Sequence, residues 1–231
     1  MPVAIITGAS KGLGRALAEA LAGRGWDLVL DARGGRALAE AARAVAGYGA
    51  RVEALPGDVT DAGHRAALVR AARGFGGVDL VVHNASALGA EPLRRLAELP
   101  LEGLRRALEV NTVAALGLVR EALPWLRGSA EGTVITLSSD AAEEAYETWG
   151  GYGASKAALD QLAAVLAVEE PWLRVWAVDP GDMATDLYAA AVPEDDSPRP
   201  APADVVPAFV RLLDERPASG RYSAPSLLEA R

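Results

Sequence analysis

The sequence predicts an α/β fold, a three-layer αβα sandwich built on a mostly parallel sheet. Three observations carry that expectation. Short apolar runs alternate with segments of helical spacing through most of the chain, the order that successive βαβ units produce. A length of 231 residues suffices for one substantial core and is short for two ordinary domains. The composition is rich in Ala, Gly, Leu and Val, which suits strands buried on both faces and helices that meet them through small residues. Residues 1–231 are therefore expected to form a single domain.

The elements follow in order. Val3 to Thr7 reads as a buried strand, Gly8 to Gly14 as a tight glycine-rich turn, and Leu13 to Arg24 as a helix closed by Gly25. Leu28 to Leu30 is a second strand, Ala37 to Val45 a second helix, and Val52 to Leu55 a third strand, followed by the turn Pro56-Gly57-Asp58. Asp61 to Arg73 is helical and Val78 to Val82 is the fourth strand. A long helical pattern runs from Leu101 to Leu126 and ends near Gly128. Thr133 to Leu137 is a strand, Tyr152 to Val168 a helix stopped by Pro171, and Leu173 to Val178 a further strand. Pro180 and Gly181 then break the pattern, and residues 181–203 are expected to form a substrate-side loop. Its Pro-rich, acidic part, Val192 to Pro202, reads either as a solvated loop or as a flap, because open α/β sheets place ligands at strand ends. Asp204 to Asp214 is a last substantial helix, and Arg221 to Ser223 a short last strand.

Charge and composition narrow the function. A formal net charge of -8 gives no support to nucleic-acid binding, although a few local basic groups can still hold a phosphate. There is no cysteine, so disulfides, thiolate chemistry and cysteine-ligated metals are excluded. The two histidines, His64 and His83, form no multidentate cluster, and no metal is expected; His64 reads as a surface residue at a helix start and His83 as structural. No apolar run reaches the roughly 18 to 20 residues of a membrane span. The chain enters a strand pattern without a charged leader, so a cytoplasmic location is the expectation. Of 23 basic residues only Lys11 and Lys156 are lysines, and both fall inside the motifs that carry the chemistry.

The first motif is Thr7-Gly8-Ala9-Ser10-Lys11-Gly12-Leu13-Gly14. Glycine permits the tight turn and a close backbone approach to a pyrophosphate, and the N–H groups at the following helix N-terminus face an anion favourably. The turn follows a strand and opens a helix, the context of a Rossmann-type dinucleotide site. No Gly-Lys-Ser/Thr follows at the spacing a P-loop needs.

With its Thr-Gly-x-x-x-Gly-x-Gly spacing, this motif resembles that of the classical short-chain dehydrogenase/reductase family. The resemblance recurs through most of the chain. Gly57-Asp58-Val59 looks like the family's adenine-side loop, with Asp58 implied to bond the adenine amine and Val59 to pack near the ring. A capping or turn role for Asp58 stands beside that reading. Asn84-Ala85-Ser86 stands where the family usually has Asn-Ala-Gly, so Ser86 departs from the pattern. In Val29-Leu30-Asp31-Ala32-Arg33, Ala32 occupies the place where NAD-dependent members carry an acid. Arg33 and Lys11 then suit a 2′-phosphate, since guanidinium binds such an anion through paired charge-assisted hydrogen bonds. The implied cofactor is NADP(H), with NAD(H) the second choice, and Asp31 would favour NAD if it faced the ribose.

Tyr152-Gly153-Ala154-Ser155-Lys156 puts Tyr152 and Lys156 on one helix face. A tyrosine pKa near 10 makes it a poor base at neutral pH, and an ammonium one turn away favours the phenolate. By resemblance, Ser139 at the end of Thr133-Val134-Ile135-Thr136-Leu137-Ser138-Ser139 is the catalytic serine, thirteen residues before Tyr152, with Ser138 as the alternative. Asn111, in Glu109-Val110-Asn111-Thr112, matches the family's catalytic asparagine. The implied tetrad is Asn111, Ser139, Tyr152 and Lys156, with Tyr152 exchanging the proton, Ser139 aligning the carbonyl oxygen, Lys156 binding the nicotinamide ribose and Asn111 orienting a relay water. Pro180, Gly181 and Thr185 resemble the segment near the nicotinamide carboxamide, although Thr185 also reads as a helix-start residue. Trp149, Met183, Leu187 and Tyr188 read either as an apolar substrate wall or as packing.

The implied function is hydride transfer between NADP(H) and a carbonyl or secondary alcohol. One alternative is a redox-inactive dinucleotide-binding regulatory or scaffold protein, which has no need of proton-transfer groups. A sugar epimerase or dehydratase of the extended branch is another, in chains generally longer than this one. The long helices Leu101–Leu126 and Tyr152–Val168 look like the family's dimerisation elements, and a homodimer or homotetramer is expected.

Overall fold

A computed structural model describes residues 1–229. Seven strands form one sheet: β1 (Val3–Ile6), β2 (Asp27–Ala32), β3 (Val52–Pro56), β4 (Leu80–His83), β5 (Thr133–Leu137), β6 (Arg174–Asp179) and β7 (Gly220–Ser223). Their order is β3-β2-β1-β4-β5-β6-β7 and every pairing is parallel. The strand order reverses between β1 and β4, which makes the carboxyl ends of those strands the place for a ligand.

Side-chain alternation along the strands builds two cores. Ile6, Leu28, Leu30, Val82, Leu137 and Val178 face one side, against α1 (Gly12–Gly23), α2 (Gly35–Ala46) and α8 (Pro202–Glu215). Val3, Ile5, Val29, Val81, Val134 and Val175 face the other, against α3 (Ala62–Phe75), α5 (Ala114–Leu126) and α6 (Gly150–Glu169). Both strand faces are covered, as an all-parallel sheet requires.

Three features differ from the expectation. The long helical pattern is α4 (Leu101–Leu108), one wider π turn at Glu109–Val113, and α5, so Asn111 sits inside a π segment. Extra residues of this kind disturb the regular ladder and are frequent at functional sites. Residues 181–203 are not all loop: α7 (Asp186–Ala191) forms within them, capped by Thr185, whose side chain accepts from Tyr188 N–H. A last helix, α9 (Ala224–Glu229), follows β7 directly. Among the described residues no helix is long and apolar enough to cross a membrane.

Candidate active site

A cavity of about 650 Å³ opens where β1, β2 and β4 end. Gly8, Ser10, Lys11, Gly12, Leu13, Arg33, Asp58, Val59, Asn84, Ala85 and Thr185 of the expected cofactor set line it. Its volume lies within the range of small-molecule sites. The glycine turn is built as the motif requires. Gly8 and Gly12 have φ of 65° and 57°, and Cβ atoms at Gly8 and Gly14 would fall 2.8 and 2.5 Å from Asn84 Nδ2. Gly12 differs, since its Cβ would meet nothing nearer than 3.7 Å, so it leaves room on the cavity side. No side chain caps the N-terminus of α1. Free helix N–H groups beside a glycine cradle fit a pyrophosphate.

Other side chains brace this frame. Thr7, fully buried, accepts the N–H groups of Asn84 and Ala85 on its hydroxyl, both at 3.0 Å. Asn84 Nδ2 donates to the carbonyls of Thr7 and Gly8, at 2.9 and 3.1 Å. Asn84 therefore lines the cavity while its amide nitrogen ties β4 to the turn. Asp58 Oδ1 accepts from Thr60, and Oδ2 from Arg106 at 2.9 Å; these bonds outweigh partial burial and hold its carboxyl down at about 2. Arg106 also lines the cavity.

Two expectations about charge change here. His64 is no surface residue: its side chain is 12% exposed and its Nε2 lies 2.7 Å from Asp31 Oδ1. Gly57 makes room for it, because a Cβ there would lie 2.4 Å from the imidazole. Asp31, 2% exposed, thus projects from β2 on the α3 side of the sheet, whereas Leu30 and Ala32 face α1 and α2. Arg33 is exposed, lines the cavity and forms no ion pair among the described residues. Lys11 pairs with Asp186 at the start of α7.

A second cavity, about 270 Å³, adjoins the first, and Met183, Thr185 and Leu187 line both. Ser139, Tyr152, Pro180 and Gly181 line the second, as do Trp149 and Tyr188. All four residues of the expected apolar wall are therefore present, with Trp149 edge-on to Tyr152 at 5.6 Å between ring centroids. The two serines divide clearly. Ser138 donates to Asp160 Oδ2 at 2.6 Å, whereas Ser139 donates to Asp140 Oδ1 at 3.0 Å and lines the cavity together with Tyr152. Lys156 is buried beside Tyr152, its Nζ 5.4 Å from the ring centroid and donating to Leu137 O at 2.7 Å. Burial lowers Lys156 to about 8, against the pull of Asp160 and Asp179. Tyr152 departs from the expected direction: burial pushes its hydroxyl up, Asp179 and Asp140 push it further, and bonds from Ser86 and Ser139 only partly oppose them. The protein alone holds Tyr152 as the neutral phenol.

Asn111 lies behind this pair. Its Nδ2 donates to Ser155 Oγ at 2.8 Å and to Ala87 O at 2.9 Å, while its Oδ1 accepts from Ala87 N–H at 2.8 Å and Ser86 Oγ at 3.2 Å. The side chain is thus fully engaged. His83 is buried beside Lys156, and its Nε2 donates to Val110 O at 3.0 Å; burial, then the charge of Lys156, lowers it to about 3.

Comparison with known proteins agrees with this geometry. The family described as short chain dehydrogenase matches residues 2–196. The chain belongs to the short-chain dehydrogenase family. An uncharacterized oxidoreductase of Saccharomyces cerevisiae is 34% identical over 186 residues, which is 80% of this chain and 72% of that protein. A short chain dehydrogenase of Escherichia coli CFT073 complexed with NADPH superposes with a TM-score of 0.90 at 29% identity, covering 96% of both chains. One from Shigella flexneri 2a complexed with NADP gives 0.90 at 27% identity and 97% of both. The protein is thus an oxidoreductase of the short-chain dehydrogenase type.

Within that family the structure adds residues that sequence reasoning missed. Arg106 on Asp58, His64 on Asp31 and Thr7 under Asn84 all act across elements far apart in the chain, and no local spacing announces them. Ser86 was legible only as a departure; its hydroxyl sits between Asn111 Oδ1 and the Tyr152 hydroxyl.

Proposed function

We propose that this short-chain dehydrogenase transfers hydride between NADP(H) and a carbonyl compound or its secondary alcohol. The observation that carries the reading is the placement of Tyr152 and Ser139 at a cavity adjoining the glycine-turn cleft, with Lys156 buried against the Tyr152 ring. Gly8, Ser10, Gly12, Leu13 and the α1 N-terminus hold the pyrophosphate, and Arg33 with Lys11 holds the 2′-phosphate. Asp58 and Val59 flank the adenine, while Ala85, Pro180, Gly181 and Thr185 border the nicotinamide end, next to Asn84. Thr185 keeps its hydroxyl proton for that task, since its oxygen only accepts from Tyr188 N–H. NADP is favoured over NAD because Asp31, although it borders the cavity, has its Oδ1 engaged by His64 and Arg33 is uncommitted, and the two solved relatives described above were complexed with NADP or NADPH.

When bound, the reduced cofactor supplies the hydride that the carbonyl carbon accepts. Tyr152, held neutral, donates its proton to the carbonyl oxygen, and Ser139 hydrogen-bonds the same oxygen and fixes its direction. Lys156, near 8, bears charge at neutral pH, binds the ribose and stabilises the phenolate left after proton transfer. Asn111 holds the wall formed by Ser86, Ala87 and Ser155 and so positions the water through which a proton relay reaches Lys156. In alcohol oxidation the same groups act in reverse.

The test is a reduction and oxidation screen of the purified protein with both cofactors, beside Tyr152→Phe. The variant is expected to keep its fold and its NADPH affinity while turnover falls at least about 100-fold, the lower scale of general acid–base catalysis. Near-normal turnover removes Tyr152 from this role. NADPH binding by the wild type without turnover of any carbonyl or alcohol favours a regulatory protein instead.

A further inference from the structure

The cavity that holds the Tyr152 hydroxyl is lined by three carboxylates, Asp140, Asp179 and Asp182, and by no Lys, Arg or His. Their charge is poorly neutralised. Asp140 accepts only from neutral donors, the Ser139 and Tyr146 hydroxyls and the Ala141 N–H. Asp179, 8% exposed, accepts Gly181 N–H on Oδ1, while its Oδ2 has only Arg221 at 3.7 Å. Asp182 accepts no hydrogen bond and forms no ion pair among the described residues. The nearby guanidinium groups are committed elsewhere. Arg221 pairs with Glu143 at 2.7 Å and Asp160 at 3.2 Å and donates to Ser139 O, and Arg199 pairs with Asp195 while stacking 3.8 Å over Tyr188. Burial raises the Asp179 and Asp182 carboxyls, and the charge of Asp140 raises both further, while Arg221 near Asp179 and Arg199 near Asp182 only partly oppose this.

The cavity is a ligand site on grounds other than these acids, since Tyr152, 6% exposed and paired with Lys156, lines this space beside Ser139. The rings of Tyr146, Trp149 and Tyr188 line the same volume. Carboxylates interleaved with aromatic rings are the surroundings in which a weakly hydrated cation is most stable. We propose that the substrate carries an ammonium-type cation within a few bonds of its carbonyl, held among Asp140, Asp179, Asp182 and these rings. The proposal rests on the reading of the cavity as the substrate site. A polyhydroxylated neutral substrate fits less well. Its hydroxyls need acceptors and donors alike, and it would leave the carboxylate charge unopposed. An anionic substrate is repelled.

Three ketones of one shape test this with the full chain and NADPH: 5-(dimethylamino)pentan-2-one as the cation, 6-methylheptan-2-one as its neutral isostere and 5-oxohexanoate as the anion. We expect kcat/KM for the cation to exceed that for the isostere roughly tenfold or more, with the anion lowest. Asp182→Asn, at an exposed position where misfolding is least expected, should shrink the cation-to-isostere ratio severalfold. Calorimetric titration of NADPH-loaded Tyr152→Phe protein with the same ketones reads the charge preference without turnover. If no ketone is reduced yet the cation still binds best, the oxidoreductase reading fails and the charge preference stands. Equal binding of cation and isostere overturns the proposal, and so does a preference for neutral sugars. It also falls if Asp182→Asn alters the ratio of NADP⁺ to NADPH affinity and leaves the ketone ratio unchanged, because the acids then serve the oxidised ring.

Discussion

At the scale of single residues, the proposed NADP preference rests on Arg33. Among the described residues it is the cation lining the large cavity that no carboxylate already engages, whereas Lys11 pairs with Asp186, Arg15 with Glu19 and Arg106 with Asp58. Truncation to Ala removes a charge-assisted contact worth roughly 1.5 to 3 kcal/mol, about ten- to more than one-hundredfold in NADPH affinity. NADH affinity should change little, because its ribose carries a neutral hydroxyl at that position. Fluorescence titration of wild type and Arg33→Ala with each reduced cofactor checks this, and equal losses for both would remove Arg33 from the phosphate. His83 makes a second prediction, of stability. Its folded pKa of about 3 lies below the ordinary 6.5, so between those values the unfolded chain binds the proton and the native state does not. This contribution is complete above pH 6.5 and is lost as pH falls towards 3. Between pH 7.5 and 5.0 it removes roughly 2 kcal/mol. His83→Gln, which keeps a donor for Val110 O, should lose that much less over the same interval in urea titrations. Parallel losses in both proteins would show that His83 does not set the acid sensitivity.

At the scale of elements, what could be read in advance follows the range of the signal. Strands β1, β2, β4 and β5 are apolar runs bounded by turn residues, and helices α1, α5 and α6 carry their own periodicity, so each is a local statement. The glycine turn and the Tyr152–Lys156 pair were legible for the same reason, since a tight turn and one helical turn are short-range geometry. The misses are tertiary. Helix α7 is six residues long, too short to show a period, and depends on Thr185 as its cap. The π turn at Glu109–Val113 has no sequence signature, yet it sets the position of Asn111 against Ser86, Ala87 and Ser155. The direction of the Tyr152 shift could not be read from spacing either. Spacing brings in Lys156, but burial and the carboxylates of Asp140 and Asp179 come from elements distant in the chain. Asp31 was ambiguous at the level of one residue at a strand end; the pleat sends Asp31 and Ala32 to opposite sides, yet Asp31, beside His64, still lines the cavity with Arg33.

At the scale of the whole molecule, the sheet accounts for its own two faces but not for the outer surface of α5 and α6. Val113 and Leu116 beside or on α5 are half and 39% exposed, Val165 and Val168 on α6 are 40% and 80% exposed, and Trp172 just beyond α6 is 59% exposed. Single exposed apolar residues are ordinary, but a set of them on two helices that each bury their other face is what an association surface would present, and we propose self-association there. These helices belong to the segments that resemble the family's dimerisation elements in the sequence. A self-complementary patch used by both copies gives a two-fold dimer, the commonest closed assembly. The expected particle has twice the chain mass of 23.9 kDa in light scattering at micromolar concentration. Val168→Glu places a charge on the most exposed of these residues and should shift the equilibrium to monomer. It should leave the thermal midpoint of a dilute sample little changed, because surface substitutions away from packed features alter stability by about 0.5 kcal/mol or less. A wild-type protein that stays monomeric across the micromolar range overturns the dimer. A dimer unaffected by Val168→Glu and by Leu116→Glu moves the interface off these two helices.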